Sequence, residues 1–376
     1  MTNSPSVCFV HDWLVTMRGG EKVLEAMCEL YPDAPIYTLI VNHKNLSPFL
    51  QTRKVHTSFL QFIPGVEKFY RYLLPIFPLA IKFLNVKKYD IVISSSHCVA
   101  KSISVRKNAL HICYCYTPMR YLWGFQEEYF GNFPNFIRNL INIYFNFLKK
   151  WDIKTAEGVS IFVTSSNYVA KRIQNVYKRN ATVINPPIDE PPRKIVSHFS
   201  QQPFYLIVGA LVPYKRIDIA IEAFNRLKHP LKIVGTGPLM ESLKKMIRFE
   251  GIEFEGWVDE EKLWDYYQCC KALIFPGEED FGIVPLEAQM CGKPVIAYGR
   301  GGVCETVVAY DEAQSKKGKY TGLFFEKPDV ESLIQCVQKS QIITFDPEFI
   351  RSHAMRFRKE HFKEKVNAII LSAIRN

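Results

Sequence analysis

The sequence predicts an α/β protein made of two doubly wound domains, each built around a parallel sheet. Its 376 residues favour two domains over one. Short β-branched strands alternate with helical stretches, which is typical of βαβ units. The stretch Asn185–Pro192 interrupts this alternation once, and its four prolines cannot continue a helix or a central strand. We therefore expect a linker there, joining two similar domains.

The first domain is predicted from a series of apolar strands, separated by helices such as Asn167–Tyr177. These strands are Val7–Val10, Ile36–Val41, Ile91–Ser94, Leu110–Cys115 and Val159–Ser165. The second begins after the linker, with a helix at Ile217–Leu227. Its strands are Phe204–Gly209, Leu231–Val234, Ile252–Glu255, Ala272–Phe275, Pro294–Ala297 and Leu323–Phe325.

The last part of the chain, Glu348–Asn376, reads as helix and follows the last strand. The predicted organisation is an N-terminal domain over residues 1–194 and a C-terminal domain over 195–352. Residues 353–376 then form a helix that crosses back to the N-terminal domain. Because ligands bind at the carboxyl ends of strands in such sheets, we expect the functional residues in the loops of an interdomain cleft.

Composition narrows the class of protein without naming it. The formal charge of +11 indicates attraction to polyanions such as nucleic acid, anionic lipid or phosphorylated sugars. No nucleic-acid-binding motif accompanies it, so nucleic acid is not an expected partner. The 10 cysteines lack paired metal spacing and suit free thiols in a reducing cytosol. No signal peptide or transmembrane run is evident, so the prediction is a cytoplasmic protein.

The strongest constellation for chemistry is the stretch Gly277–Glu287, directly after a predicted strand. Glu279 and Glu287 stand eight residues apart, with Gly282 between them. Free N–H groups that open a helix bind phosphate, and a glycine permits close approach. Carboxylates nearby can accept hydrogen bonds from sugar hydroxyls, as in dinucleotide sites. An acidic helix start that complements the helix dipole is an equally simple interpretation of these residues alone.

This pattern resembles the signature of glycosyltransferase family four, and the likeness runs along almost the whole chain. The segments that carry it are His11–Glu21, Ser94–His97, Tyr116–Tyr121, Val212–Arg216, Gly235–Pro238, Glu279–Glu287 and Ala297–Gly302. Together they are most similar to the mannosyltransferase-like subgroup of bacterial surface-polysaccharide and lipopolysaccharide synthesis. The resemblance implies the GT-B fold, in which two Rossmann-like domains face an interdomain cleft. It also implies a retaining transferase whose first expected donor is GDP-mannose and whose acceptor is a glycan or a lipid-linked glycan.

The resemblance also assigns donor-binding roles. Glu287 is expected to hold the ribose hydroxyls, Glu279 to face the donor sugar, and Lys215 to neutralise the diphosphate with help from Arg216. The backbone near the sugar and diphosphate is expected from Phe281, Gly282 and Ile283, and from Gly19 and Gly20 in the first loop. For Lys215 and Arg216 a helix-capping basic pair is the alternative, and for the two glycines it is an ordinary turn.

Val258 is expected on the nucleotide side, and Trp257 beside it either flanks the base or belongs to the core.

Two positions depart from the family pattern. Ala210 stands where members usually carry arginine, and Tyr116 stands where they usually carry histidine. That histidine lies near the transferred carbon in the family, so Tyr116, as a hydrogen-bond donor, and His97 become the catalytic candidates together with Glu279. A buried helix-capping role is an equal alternative for His97.

No Asp-x-Asp metal motif occurs in the sequence, so a metal-independent enzyme without a cofactor is expected. The departing phosphate would then assist deprotonation of the attacking hydroxyl. Two rival functions stay open. One is a sugar-nucleotide epimerase of the same fold, and the other is a degenerate GT-B protein that serves as a binding or scaffold subunit.

Two stretches, at residues 59–84 and 135–150, mix bulky apolar residues with lysine and arginine. Such a mixture suits an interfacial segment on anionic lipid and predicts a peripheral contact at the inner face of the cell membrane. The alternative is a domain core with solvated basic faces.

Overall fold

The computed structural model describes residues 5–124, 135–192, 203–312 and 319–375. The chain divides into two compact units. The first unit comprises Met1–Pro187 and Lys359–Asn376, and the second comprises Ile188–Arg358. None of the helices in the described ranges is both long enough and apolar enough to span a membrane.

The two unit boundaries lie near the predicted ones but not at them. The chain enters the second unit at Ile188 instead of residue 195, because Ile188 is buried and its N–H bonds to the carbonyl of Phe357 at 3.0 Å. It leaves at Arg358 instead of residue 352, because Ala354 is buried in the core of the second unit.

The first unit contains a seven-stranded parallel sheet in the order β3-β2-β1-β4-β5-β6-β7. Its strands are β1 Val7–His11, β2 Ile36–Thr38, β3 Val55–Thr57, β4 Ile91–Ser96, β5 Leu110–Cys115, β6 Ile161–Thr164 and β7 Ala181–Val183. The two edge strands, β3 and β7, have no counterpart in the sequence prediction. Each has three residues and lacks a fully buried side chain, so the apolar pattern that predicts the inner strands is missing there.

Helices cover this sheet. They are α1 Gly19–Cys28, α2 Pro48–Gln51, α3 Val66–Phe69, α4 Phe77–Lys82, α5 Asn135–Ala156 and α6 Asn167–Tyr177. Strands β1, β2 and β4 are buried along their whole length, as expected for parallel strands with helices on both faces.

The second unit contains a six-stranded parallel sheet in the order β10-β9-β8-β11-β12-β13. Its strands are β8 Tyr205–Val208, β9 Leu231–Val234, β10 Ile252–Gly256, β11 Ala272–Phe275, β12 Val295–Tyr298 and β13 Gly322–Phe325. Its helices are α7 Ile217–Leu227, α8 Met240–Lys244, α9 Glu260–Cys269, α10 Ile283–Met290, α11 Val303–Thr306, α12 Val330–Gln341 and α13 Pro347–Ala354.

The last helix, α14 Lys359–Arg375, belongs to the first unit. Phe362, Val366 and Ile370 recur every four residues and pack into the same core cluster as residues of α1. The ammonium groups of Lys359 and Lys363 lie 3.1 and 3.0 Å from the carboxylate of Glu29, which follows α1.

Both sheets are Rossmann-like, and each reverses its strand order once. The reversal lies between β1 and β4 in the first unit and between β8 and β11 in the second. Ligands bind in the crevice at such switch points. The loops after these four strands are therefore where functional side chains are expected.

Candidate donor and transfer sites

In the second unit, the loops that follow β8 and β11 pack directly against each other. A Cβ atom on Gly277 would lie 2.5 Å from the carbonyl oxygen of Tyr214 and 2.7 Å from the Cα atom of Lys215, so only glycine fits there. This close approach lets the ammonium of Lys215 form an ion pair with the carboxylate of Glu279. The two side chains are only 13% and 22% exposed, which limits solvent screening of the pair. A positive and a negative group thus share the switch point.

Lys215 and Arg216 have different surroundings. The guanidinium of Arg216 pairs with Asp218, in the first turn of α7, at 3.1 Å, and the Arg216 side chain is 40% exposed. Arg216 also has a left-handed backbone, with φ of 50°, where the chain enters α7. Arg216 therefore occupies the N-cap position of α7 and pairs with Asp218, whereas Lys215 pairs with Glu279.

Lys215 also lies near Ala210, which stands where family members usually carry arginine. Its ammonium nitrogen lies 3.5 Å from the position that a Cβ atom on Gly209 would occupy. The lysine side chain thus folds over the end of β8, next to the position where family members carry arginine, and it supplies a cation at this strand end.

The turn between Glu279 and α10 is held in place by its backbone. The carbonyl of Glu279 accepts a hydrogen bond from the N–H of Gly302 at 2.7 Å. A Cβ atom on Gly301, whose φ is +84°, would lie 2.4 Å from that same carbonyl oxygen. The loop that carries Glu279 is therefore fixed against the turn after β12.

Helix α10 begins directly after a glycine. Gly282 is its N-cap, with a left-handed backbone, φ 96°, and it has no side chain that could cap the helix. The first N–H groups of a helix are a candidate position for a phosphate. The side chain of Phe281 is buried and contacts Phe357, so only its backbone can serve a ligand.

Glu287 is oriented by a buried tyrosine that the sequence did not single out. The hydroxyl of Tyr267 donates to Oε2 of Glu287 at 2.6 Å. Burial, and then the neighbouring Glu287, raise the pKa of Tyr267 well above its usual range, so the phenol keeps its proton. This bond fixes the orientation of the Glu287 carboxylate.

The loops after β8, β9 and β10 also meet closely. Gly235 has a φ of +136°, and a Cβ atom on it would lie 1.9 Å from the carbonyl oxygen of Gly209. Its N–H bonds to the carbonyl of Gly256 at 2.7 Å. Trp257 follows with 78% of its surface exposed, and Val258 is half-buried. The core interpretation of Trp257 is therefore wrong.

In the first unit, Asp12 organises the loop after β4. Its fully buried carboxylate accepts four hydrogen bonds, at 2.6 to 3.0 Å, from consecutive backbone N–H groups of residues 97–100. The sequence prediction missed this role. The only signal was an acidic residue directly after a buried strand.

His97 stands beside this carboxylate. Its Nδ1 lies 3.2 Å from Oδ2 of Asp12, which assigns the Nδ1 proton to that contact and turns Nε2 away from it. The ring packs edge-on to Trp13 at 4.5 Å, and its side chain is 32% exposed. Burial lowers the pKa of His97 although Asp12 opposes the shift, so near neutral pH the Nε2 atom is an acceptor. The side chain that caps this loop is Asp12, not His97.

Tyr116 does not offer the free hydrogen-bond donor expected of it. Its hydroxyl donates to the carbonyl of Gly20 at 2.8 Å and contacts the hydroxyl of Ser95 at 2.9 Å. Ser95 in turn contacts Nδ1 of His11 at 2.9 Å. Because a phenol has one proton, that proton is used inside the unit. The rings of Tyr116 and His97 lie 6.4 Å apart, measured between their centroids. Tyr116 contacts the start of α1 through its hydrogen bond to the carbonyl of Gly20.

Gly19 and Gly20 are also placed differently from the expectation. Both lie in the first turn of α1 and neither has a positive φ, so unusual backbone angles do not explain them. Gly20 instead leaves room for the ring of Tyr116, which lies 3.6 Å from where a Cβ atom would be.

In the described residues, no group of three or more side chains has the composition of a metal site.

Known proteins resemble this chain in sequence over part of its length. Residues 189–340, all in the second unit, match the family model of the glycosyl transferases group 1. The O-antigen chain mannosyltransferase C of Escherichia coli is 27% identical over 48% of this chain and 50% of its own length. The GDP-mannose-dependent alpha-(1-6)-phosphatidylinositol monomannoside mannosyltransferase of Mycolicibacterium smegmatis is 31% identical over 36% of this chain and 38% of its own length.

These matches span half or less of the curated relatives' length. The similarity to solved structures, in contrast, extends over whole chains. The Anabaena protein HepE, in complex with UDP, aligns over 98% of this chain and 100% of its own with a TM-score of 0.69 and 15% identity, a likeness of fold alone. The whole chain thus has a fold like that of HepE, and its residues 189–340 match the family model of the glycosyl transferases group 1.

Proposed function

We propose that the protein is a retaining glycosyltransferase that moves mannose from GDP-mannose to a glycan or lipid-linked glycan acceptor in bacterial surface-polysaccharide synthesis. The observation that carries the proposal is the pairing of Lys215 with Glu279 at the switch point of the second sheet, where the loop from Glu279 leads into α10. Cation, carboxylate and helix N-terminus belong to one short region, as a sugar diphosphate requires.

Each part of the donor has a counterpart among these groups. Lys215 and the first N–H groups of α10 bind the diphosphate, since both are positive and the ligand is an anion. Glu279 then accepts a hydrogen bond from a hydroxyl of the donor sugar. Glu287, oriented by Tyr267, accepts hydrogen bonds from the ribose hydroxyls. Gly19 and Gly20 are proposed to approach the diphosphate through their backbone.

The nucleobase is assigned to the loop after β10. The exposed indole of Trp257 offers a flat surface for stacking, and Val258 lies beside it. Guanine is proposed because one relative's name specifies GDP-mannose, whereas HepE is described with UDP. Stacking by itself accepts any base.

The transfer step needs no nucleophile from the protein. The acceptor oxygen forms the bond to the anomeric carbon while the bond to the diphosphate breaks, and the departing phosphate oxygen takes the acceptor proton on the same face. Lys215 stabilises the leaving charge. His97 offers Nε2 to a sugar hydroxyl at the edge of the first sheet. Tyr116 donates to the backbone carbonyl of Gly20, and Arg216 pairs with Asp218 at the start of α7. Because Lys215 and α10 supply the positive charge, we expect no essential metal or cofactor.

A lipid-linked acceptor implies a cytoplasmic enzyme at the inner face of the membrane. The first unit is assigned to the acceptor and the second to the donor.

The test is release of nucleoside diphosphate from GDP-mannose with and without a lipid-linked mannan acceptor, followed by NMR. We expect release that depends on the acceptor, and an α-linked product from the α-linked donor. Conversion of the sugar nucleotide without acceptor would favour the epimerase. Donor binding without turnover over a broad panel of acceptors would favour the scaffold subunit. An inverted product would refute retention.

A further inference from the structure

The first unit exposes an unusual amount of apolar surface. The described residues include 14 large hydrophobic side chains that are exposed, and ten of them belong to two regions of this unit. These ten are Phe59, Phe62, Phe69, Tyr72, Ile76, Leu79, Phe83, Ile143, Phe147 and Ile153. Single exposed apolar residues are normal, but a concentration of this kind indicates an interaction surface.

Part of this surface is a stripe on residues 66–83, the segment that runs from the start of α3 through α4. Ile76, Leu79 and Phe83, at the start, middle and end of α4, are spaced three and four residues apart, which is the spacing of one helical face. They are 38%, 53% and 67% exposed, and Tyr72, in the 3-10 helix Tyr70–Ile76 that precedes α4, is 84% exposed. The other side of the same segment is equally apolar and is buried in the core, as Phe77 illustrates at 1% exposure. A segment with apolar side chains on both its buried and its outer side favours a second apolar environment on the outer side.

Helix α5 extends the stripe. The hydroxyl of Tyr144 donates to the carbonyl of Pro75 at 2.7 Å and ties the helix to the segment. On either side of Tyr144 in sequence, Ile143 and Phe147 are 69% and 60% exposed and are spaced four residues apart, hence on one face of α5. We call the stripe and these two residues the apolar surface.

The charges next to the apolar surface are positive. Residues 59–88 contain five lysines and arginines, and Glu67 is the single acidic residue in that stretch of sequence. Lys68, Arg71 and Lys82 are exposed on the segment itself, and Lys150 is exposed on α5. A second copy of this chain would bring like charges together, whereas an anionic partner would be attracted.

We propose that the apolar surface docks the first unit on an anionic lipid bilayer. The aromatic and aliphatic side chains enter the boundary between headgroups and acyl chains, and the surrounding cations bind the anionic headgroups. The biological role of this docking rests on the proposed function, because docking brings a lipid-linked acceptor to the first unit. The binding itself does not require donor or acceptor.

The experiment is sedimentation of the full chain with vesicles of phosphatidylcholine, with and without phosphatidylglycerol. We expect binding to the anionic vesicles at low salt, weaker binding at high salt, and none to the neutral ones. The variant Tyr72→Ser/Phe83→Ser should weaken partitioning at least about tenfold, since each ring loses its apolar burial. Lys68→Gln/Lys82→Gln should weaken it about 30-fold, from about fivefold per cation.

The matched control is Ile342→Ser, which removes a side chain that is 85% exposed in the second unit and should bind vesicles like the wild type. Circular dichroism of all variants verifies folding. Absence of binding to anionic vesicles, equal weakening by Ile342→Ser, or a dimer that the Tyr72→Ser/Phe83→Ser variant disrupts would each overturn the proposal. Titration with GDP separates the two proposals, because a wild type that binds vesicles but no nucleotide refutes the donor site and leaves the docking surface standing.

Discussion

Replacing Lys215 with methionine removes the cation of the proposed diphosphate site and keeps most of the side-chain volume. Arg216 provides a matched control in the neighbouring position, because its guanidinium is occupied by Asp218 and is 40% exposed. We therefore compare Lys215→Met with Arg216→Met. Both remove one positive charge from the same loop, so any effect of net charge is common to the two variants.

The size of the effect follows from the geometry of the ion pair. A hydrogen bond to a charged group contributes about 1.5–3 kcal/mol, which corresponds to about 12- to 160-fold in Kd. Lys215 is only 13% exposed and is directed by Glu279, so its bond to a phosphate should fall within this range. For Arg216→Met we expect less than about threefold, as for an exposed ion pair.

The assay is calorimetric titration with GDP, with the folding of each variant monitored by its melting temperature. Glu279→Gln should behave oppositely, because it removes a carboxylate close to the phosphates, and GDP without a sugar should bind it as tightly as the wild type or more so. Equal losses in Lys215→Met and Arg216→Met would refute the distinction drawn between the two cations. Unchanged affinity in Lys215→Met would refute the site.

Further predictions concern the base, the first unit and pH. Trp257→Ala should weaken GDP binding by about 1–3 kcal/mol in titration calorimetry, the usual loss of one stacked base, and an unchanged Kd would remove Trp257 from the site. Asp12→Ala leaves four backbone donors without their acceptor and should lower the free energy of unfolding by roughly 4 kcal/mol in urea, whereas a loss below about 1 kcal/mol would contradict its role. Burial lowers the pKa of His111 from 6.5 to about 4, so as the pH falls the unfolded chain takes up the proton first and stability is lost from about pH 6.5 downward. Between pH 7.5 and 5.5 the wild type should lose about 1.3 kcal/mol more than His111→Asn, and identical pH dependence in the two proteins would exclude this origin.

The strands and their order of appearance could be predicted from the sequence because buried parallel strands are continuous apolar runs. The edge strands could not, since β3 and β7 are short and lack that pattern. The same limit applies to boundaries. Whether Ile188 belongs to the linker or to the second unit depends on its bond to Phe357, a residue far along the chain.

The candidate site was likewise only partly predictable from the sequence. A local pattern located Glu279 and the glycine at the start of α10, because strand ends and helix starts are visible in a sequence, whereas Lys215 was assigned from the family resemblance. Residues that act through distant partners were missed or misread. Tyr267, on α9, orients Glu287, and the hydroxyl of Tyr116 donates its hydrogen bond to the carbonyl of Gly20.

The central claim is that the second unit binds a nucleotide sugar through Lys215 and Glu287. Its most direct test is the melting temperature of the chain with GDP-mannose, UDP-glucose and ADP-glucose, repeated with Lys215→Met and Glu287→Gln. A ligand at about 100 times its Kd should stabilise the protein by about 2.7 kcal/mol. We predict an upward shift with GDP-mannose that is reduced in both variants. A wild type that no sugar nucleotide stabilises would contradict the account.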